Sequence, residues 1–385
     1  MAYLISETGE ELVQDVKRFC EIEVYKQSVQ WDRDGFLPEN VRSTFCEMGY
    51  QTLTIPEELG GLGICSVDTA AILEEIAAAD AGLAVTLAGS NLALRAVLAG
   101  GTQEQIEKVC TILAEGGLGA FCLTEAEAGS DALSLKTRAV RTEDGGWTLT
   151  GTKQFITNGS TAAFYVVAAK PEGMDWPQLF LVEGKGEGLA FGEPEEKLGI
   201  RSCDTCEVQL NGCRVGADAL LGGSSVLEQP DYGVKAILAA LNEGRLLMAA
   251  MAVGVARRAL EEAIAYGKER HQFGKAITEN QALQFKLADM EIKTEAARQL
   301  TAHALQKMDA GMEFSAEAAM AKAFAADTVI EVTGSAMEVF GGYGFTNHFP
   351  AEKLLRDARV FQIIEGTGEM QRSLVASHLL KKGRR

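Results

Sequence analysis

The hydrophobic period changes twice along this chain, and that change restricts the fold more than any other feature. Up to about residue 115, apolar residues recur at helical spacing in "ELVQDVKRFCEIEV", "ENVRSTFCEMG", "VDTAAILEEIAAADAGLAVTLAGSNLALRAVLAG" and "QEQIEKVCTILAEG", with Gly or Pro between segments. From about 119 to 222 the segments are short and alternating or β-branched, as in "WTLTG", "KQFIT", "FYVVAAK", "LFLVEG" and "CEVQL", and glycine turns separate them. The helical period then returns over 237–270, 280–308, 315–340 and 367–381, in Ala- and Gly-rich sequence suited to close helix packing. This order predicts an α+β multidomain chain: an N-terminal α-helical domain (1–118), a central antiparallel, barrel-like β domain (119–225) and a C-terminal four-helix bundle (226–385). A length of 385 residues agrees with two or three domains at ~100–200 residues each.

Charge narrows the partners. With 54 acidic against 36 basic side chains the formal net charge is −18, a surface that repels phosphate backbones, so nucleic acid is not expected as a partner. The opening "MAYLISETGEELVQDVKRF" has acidic residues and no long apolar run, unlike a signal peptide. Apolar segments such as "LLMAAMAVGVA" read as shorter than the roughly 20 residues of a membrane span. The expectation is a cytoplasmic protein with no membrane association. Eight scattered cysteines do not form a disulfide framework. Cys203 and Cys206 in "RSCDTCEVQL" have redox or zinc spacing, but a second pair is missing and the flanking sequence is strand-like, so no metal site is expected. The glycine clusters "GGYGF" and "GKGEG" do not sit between a strand and a helix, as a dinucleotide fingerprint requires.

One carboxylate stands out. In "FQIIEGTGEMQR", Glu365 follows two isoleucines and precedes Gly366, Thr367 and Gly368. Burial there would raise its pKa and make it a stronger proton acceptor, while the glycines would admit a bulky ligand. The alternative is an exposed glutamate in a helix-entry turn, with Thr367 as N-cap and Glu369 in the first turn.

Four stretches decide between these readings: "FCLTEAEAGSD" (121–131), "KQFITNGS" (153–160), "YGKERHQFGKAITENQ" (266–281), and "VFGGYGF" with "LLRDARVFQIIEGTGEMQR" (339–345 and 354–372). Together, in this order and over nearly the whole chain, they resemble the acyl-CoA dehydrogenase family. The resemblance implies that Glu365 is the base that removes the α-proton of an acyl thioester while FAD accepts the β-hydrogen as hydride. It implies that Phe121, Leu123 and Thr124 lie along the flavin, that Thr124 and Thr157 hydrogen-bond its polar edge, and that Phe155 covers one face. Ser130 belongs to the same loop and also stands near the CoA moiety. Arg270, with Phe273 and Gln281, would pair with the pyrophosphate of a neighbouring subunit's cofactor, Gly342 would admit its adenine half, and Thr367 and Glu369 would contact the flavin end. Asn242 and Arg245 would stand near CoA, and the Gly366 backbone would border the thioester. The partners so implied are an acyl-CoA substrate, electron-transfer flavoprotein and three further copies in a homotetramer.

Several positions depart from the family pattern. Glu338, a cofactor-site position, stands where relatives carry glutamine, and beside a diphosphate it needs a ribose hydroxyl or a basic partner. Ile364 replaces a tyrosine before the base, Ala126 replaces a proline, and Ser377 replaces an arginine and is given no role. Gly244 occupies the position from which one branch takes its base, which supports Glu365, with Glu243 as a spare carboxylate. "LAVTLAGSNLAL" has no arginine for a dicarboxylic acyl group, and "DAGLAVTL" looks most like short-chain bacterial members. The function expected is short-chain acyl-CoA dehydrogenation. The alternatives are enoyl- or aryl-acryloyl-CoA reduction at the same site and, in another class, a flavin-containing DNA-associated protein.

Overall fold

A computed structural model describes residues 5–184 and 186–382. The N-terminal region is helical: α1 (Glu7–Phe19), a π turn, α2 (Tyr25–Asp34), α3 (Glu39–Glu47), α4 (Ser66–Ala79), α5 (Ala81–Gly100) and α6 (Gln103–Ala114). The long apolar stretch 67–100 is two helices. Asp80 breaks it in an extended conformation (φ −154°, ψ 117°), and its carboxylate accepts the Leu83 N–H at 2.8 Å as the N-cap of α5.

The strands follow as β1 (Gly119–Cys122), β2 (Arg138–Arg141), β3 (Trp147–Thr157), β4 (Phe164–Pro171), β5 (Gln178–Glu183), β6 (Leu189–Phe191) and β7 (Thr205–Val215). They form one sheet in the order β1-β4-β2-β3-β7-β6, with β5 added on β4. The sheet is mixed where a wholly antiparallel one was expected, because β1 and β2 both pair parallel with β4. Strand patterning reports which face is buried and carries little about strand direction. β3 slips register against β7 between Lys153 and Ile156, a bulge that leaves Phe155 at φ 58°.

The C-terminal region holds α7 (Tyr232–Glu269), a short hairpin of β8 (His271–Gln272) and β9 (Lys275–Ala276), α8 (Gln281–Asp309), α9 (Ser315–Phe340), α10 (Ala351–Ala358) and α11 (Gly368–Lys382). α5 and α7 are each long and apolar enough to cross a membrane, more than the sequence reading allowed, yet 72% of each apolar stretch is buried inside the protein. They are core helices, apolar on most faces because they are packed on most faces. One hydrophobic cluster joins α1, α4 and α5 to α7, α8 and α9; a second joins α5 and α6 to one face of the sheet; a third, around Trp147, Tyr165 and Phe180, fills the sheet's other side.

A buried ion cluster ties these regions together. Lys353 Nζ on α10 lies 3.0 Å from Asp80 Oδ2 and 2.7 Å from Asp357 Oδ2, with all three side chains almost without solvent exposure. Burial opposes the ammonium, but Asp357 and Asp80 outweigh it and keep Lys353 protonated. Lys353→Met leaves two buried carboxylates without a counter-charge; urea unfolding is expected to show a loss of about 3 kcal/mol or more.

Candidate active site

Glu365 sits between a short 3-10 turn (Arg359–Gln362) and α11. Its backbone is left-handed, φ 56°, which is uncommon for a residue other than glycine. The residue as a whole is half-buried, but its Oε2 has no solvent contact and no hydrogen-bond partner among the described residues. The carboxyl faces α7 at Gly244, where α7 carries no side chain and Leu92 of α5 lies alongside. A Cβ on Gly244 would come within 3.0 Å of Oε2 and 3.1 Å of Leu92 Cδ1. Both sequence readings hold in part: Thr367 Oγ1 accepts the Met370 N–H at 3.3 Å and caps α11, while Glu365 turns inward.

Two cations stand near this carboxyl. Arg245 on α7 is buried, donates to Asn242 Oδ1 at 2.5 Å, and has an Nε with no hydrogen-bond partner among the described residues. Lys322 on α9 is buried and donates to the Gly366 carbonyl at 2.6 Å. Burial pushes the Glu365 carboxyl up to about 7, against the pull of Arg245 and then Lys322. Burial also lowers the Arg245 guanidinium below its ordinary value, with Glu365 opposing. Arg245 therefore stands buried beside the Glu365 carboxyl.

α5 connects this corner to the sheet. One turn before Leu92, a Cβ on Gly89 would lie 2.6 Å from Thr157 Cγ2, so α5 meets the end of β3 only because this position is glycine. The bulge turns Phe155 outward, 63% exposed, and the Gln154 N–H donates to the Thr124 carbonyl at 2.9 Å, which ties the end of β1 to the bulge. Leu123 is buried and Phe121 half-buried against the α5 cluster, while Ser130 is exposed on the following loop. Beneath them, Lys153 donates to Glu125 Oε1 at 2.8 Å and to the Leu123 carbonyl at 3.1 Å. Burial works against the Glu125 charge, but Lys153, Thr137 and the Lys136 N–H outweigh it and hold the carboxyl at about 2.

The remaining sequence-derived positions gather at the far end of the bundle. Arg270 follows α7 and its carbonyl accepts the Ile277 N–H at 2.9 Å; Phe273, φ 54° and 98% exposed, is at the hairpin tip; Gln281 opens α8. Glu338 on α9 has the basic partner its charge calls for, an ion pair with Lys286. Gly342 lies in the next turn, where a Cβ would meet open space among the described residues beyond its own chain neighbours. The 25 residues of α7 from Arg245 to Glu269 extend roughly 37 Å at 1.5 Å per residue. These positions therefore form a group separate from Glu365 within one chain.

Glu243 is paired with Arg95 Nε at 2.8 Å, although the Nε–H does not point at the carboxylate. Cys203 and Cys206 are both buried, and burial pushes the Cys206 thiol up to about 12. Two surface grooves of about 510 and 470 Å³, one against α1 and α3 and one between α6 and β7, contain none of the Glu365 group.

The match to known proteins follows this geometry. The N-terminal, middle and C-terminal domains of acyl-CoA dehydrogenases match residues 6–117, 120–213 and 231–380. The chain belongs to the acyl-CoA dehydrogenase family. It is similar to the butyryl-CoA dehydrogenase structure from Megasphaera elsdenii (TM-score 0.93, 34% identity, 99% of this chain and 100% of that one). It is also similar to a glutaryl-CoA dehydrogenase from Mycobacterium smegmatis solved in complex with FADH2 (TM-score 0.91, 27% identity, 98% and 95%). A 3-(aryl)acrylate reductase from Clostridium sporogenes is 37% identical, over 96% of this chain and 98% of that protein. The fold shared with these acyl-CoA dehydrogenases is helical, β-sheet and helical in order.

Sequence reasoning did not single out Glu125, Lys153, Lys322 or Gln371. A signal existed for Lys322, a lone cation inside the apolar run "AAMAKAFAADTVI". The raised Glu365 carboxyl has a sign that stability can report. The folded protein keeps a proton between its ordinary 4.5 and about 7 that the unfolded chain releases, so the group's contribution is full below that window and lost as pH rises through 7. Glu365→Gln, always neutral, is therefore expected to melt above wild type at pH 8 and close to it at pH 5, measured by calorimetry.

Proposed function

We propose that this FAD-dependent enzyme removes the α- and β-hydrogens of a short-chain acyl-CoA to give the 2,3-enoyl thioester, with Glu365 as base. The observation that carries the reading is the Glu365 carboxyl: dry, unpartnered at Oε2, raised to about 7, and facing a helix that has no side chain at Gly244. A base tuned near the working pH is what abstraction of a weakly acidic proton requires.

The residues present suit FAD. Phe155 offers an apolar face turned out of its strand, Thr124 and Thr157 are half-buried beside it, and Gly89 keeps the adjoining helix clear. We assign Phe121, Leu123, Thr124, Ser130, Phe155, Thr157, Thr367 and Glu369 to the cofactor in the same chain. Arg270, Phe273, Gln281, Glu338 and Gly342, remote from Glu365, would serve the cofactor of another copy, which supports a homotetramer. When bound, FAD supplies the acceptor for the β-hydrogen.

The chain's own groups do the rest. Glu365 takes the α-proton on Oε2. The Glu365 N–H, which donates no hydrogen bond among the described residues, is available to the thioester carbonyl as charge develops there. Gly366 leaves room for the thioester, and Arg245 with Asn242 borders the CoA side. Arg95, the arginine of α5, is engaged with Glu243, which weighs against a dicarboxylic acyl group. Electron-transfer flavoprotein is the proposed acceptor and the cytoplasm the proposed location. A second reading, reduction of an aryl-acryloyl or enoyl thioester, is supported by the likeness to the Clostridium reductase and would use the same residues.

Anaerobic mixing with butyryl-CoA is expected to bleach the flavin promptly, and Glu365→Gln to slow bleaching by about 10²–10⁴-fold. Silence with butyryl-CoA and with a panel of longer, branched and aryl thioesters would overturn the reading. Faster reoxidation of the reduced enzyme by aryl-acryloyl-CoA than by crotonyl-CoA would favour the reductive direction.

A further inference from the structure

One buried cation at this site has no part in the chemistry above. Lys322 is the eighth residue of α9, 1% exposed, and spends its ammonium on a backbone carbonyl, Gly366 O at 2.6 Å. From α11, the fully buried Gln371 donates Nε2 to the Glu365 carbonyl at 2.9 Å and to the Gly366 carbonyl at 3.0 Å. Two side chains from two helices thus hold consecutive carbonyls of a segment whose residues have φ 56° and 91°. Glu365 is in a backbone region that persists for a non-glycine residue only when its surroundings fix it.

A neutral donor could hold a carbonyl equally well, and a charged lysine is costly in a dry site unless its charge is used. The charged groups around Glu365 are Arg245 from α7 and Lys322 from α9. Asp327, also on α9, faces Lys322 but is itself bound by Arg372 at 2.5 Å and by Gln362 at 2.7 Å.

We propose that Lys322 is a positioning residue for Glu365: with Gln371 it clamps the two carbonyls so that the carboxyl faces Gly244, and its ammonium keeps that carboxyl ionisable in a dry site. The inference rests on Glu365 being the base. Burial lowers Lys322 to about 8, with Glu365 opposing, so the ammonium is charged through the neutral range in which the base works.

The test uses the FAD-loaded protein with Lys322→Gln, which keeps a donor without charge, Lys322→Met, which keeps neither, and Gln371→Leu. Two quantities are read: the pH profile of flavin reduction by butyryl-CoA, and the ¹³C NMR titration of the Glu365 carboxyl without substrate, assigned by its absence in Glu365→Gln. Both lysine variants are expected to move the carboxyl midpoint upward by about one unit. Lys322→Met should also lower the plateau rate about tenfold or more with little change in KM, a loss of alignment. Gln371→Leu should lower the plateau without moving the midpoint. An unchanged midpoint in Lys322→Gln would overturn the inference, and so would an equal shift in Gln371→Leu. If Lys322→Met loses FAD, the other two variants decide. Should Glu365→Gln bleach at the wild-type rate, the base assignment fails, while the NMR midpoint still reports whether Lys322 acts on the carboxyl.

Discussion

Three parts of this protein meet at one ammonium. Lys353 joins Asp80, which caps α5 and accepts the Ser202 hydroxyl at 3.0 Å, to Asp357, which accepts the Ile200 N–H at 2.5 Å. Gly199 lies so close to the Arg356 backbone that a Cβ would stand 2.3 Å from it, and Ile200 takes φ 46°. The start of α5, the loop leading into β7, and α10 are therefore fixed relative to one another. Each leads to the site. α5 carries Gly89 and Leu92, β7 is the ladder partner of the bulged β3, and α10 runs into Glu365 eight residues after Asp357. Buried ion clusters give little net stability compared with apolar packing, but removing one partner is expensive. This one defines geometry more than it adds stability.

Between these fixed points the site is shaped by absent side chains. Gly89 lets α5 reach Thr157, Gly244 lets Glu365 turn inward, and Gly254 brings α7 against the Glu74 carbonyl, where a Cβ would stand at 2.2 Å. Long helices of small residues form stiff, closely packed walls. The irregular elements, the β3 bulge and the Glu365 turn, carry Phe155, proposed to cover the flavin, and Glu365, the proposed base. A rigid scaffold with the left-handed Phe155 and Glu365 in its irregular segments fits the general logic of preorganised sites.

The sequence made the architecture legible because hydrophobic period reports burial directly, and burial follows the helical, strand and helical order. The family motifs brought Glu365, Phe155 and Thr157 into view in the same way. Other features depend on contacts far apart in sequence. Asp80 inside an apolar run gives no local hint that its partners are Lys353 and Ser202. The parallel pairing of β1 with β4 depends on where a long connection returns. α10 is only eight residues long, too short for its period to stand out. Lys322 and Gln371 act through backbone carbonyls, and a carbonyl has no residue type for a pattern to register.

The electrostatics of the pocket run opposite to those of the whole chain. A surface of net charge −18 offers an anionic thioester no long-range attraction, and salt screens what repulsion there is within about 8 Å. Inside, Arg245 and Lys322 both face Glu365, while Asp327, which also faces Lys322, is itself held by Arg372, so the region carries one excess positive charge when Glu365 is ionised. In the proposed reaction Glu365 would accept the α-proton, and its charge would be cancelled as negative charge grows on the substrate carbonyl. The same two cations would then face the new anion in place of the old one. Charge moves within the pocket and is not created in it, which a low-dielectric site tolerates far better. That exchange requires the carboxyl and the carbonyl to occupy neighbouring positions before reaction, and the held backbone of Glu365 and Gly366 would serve that requirement.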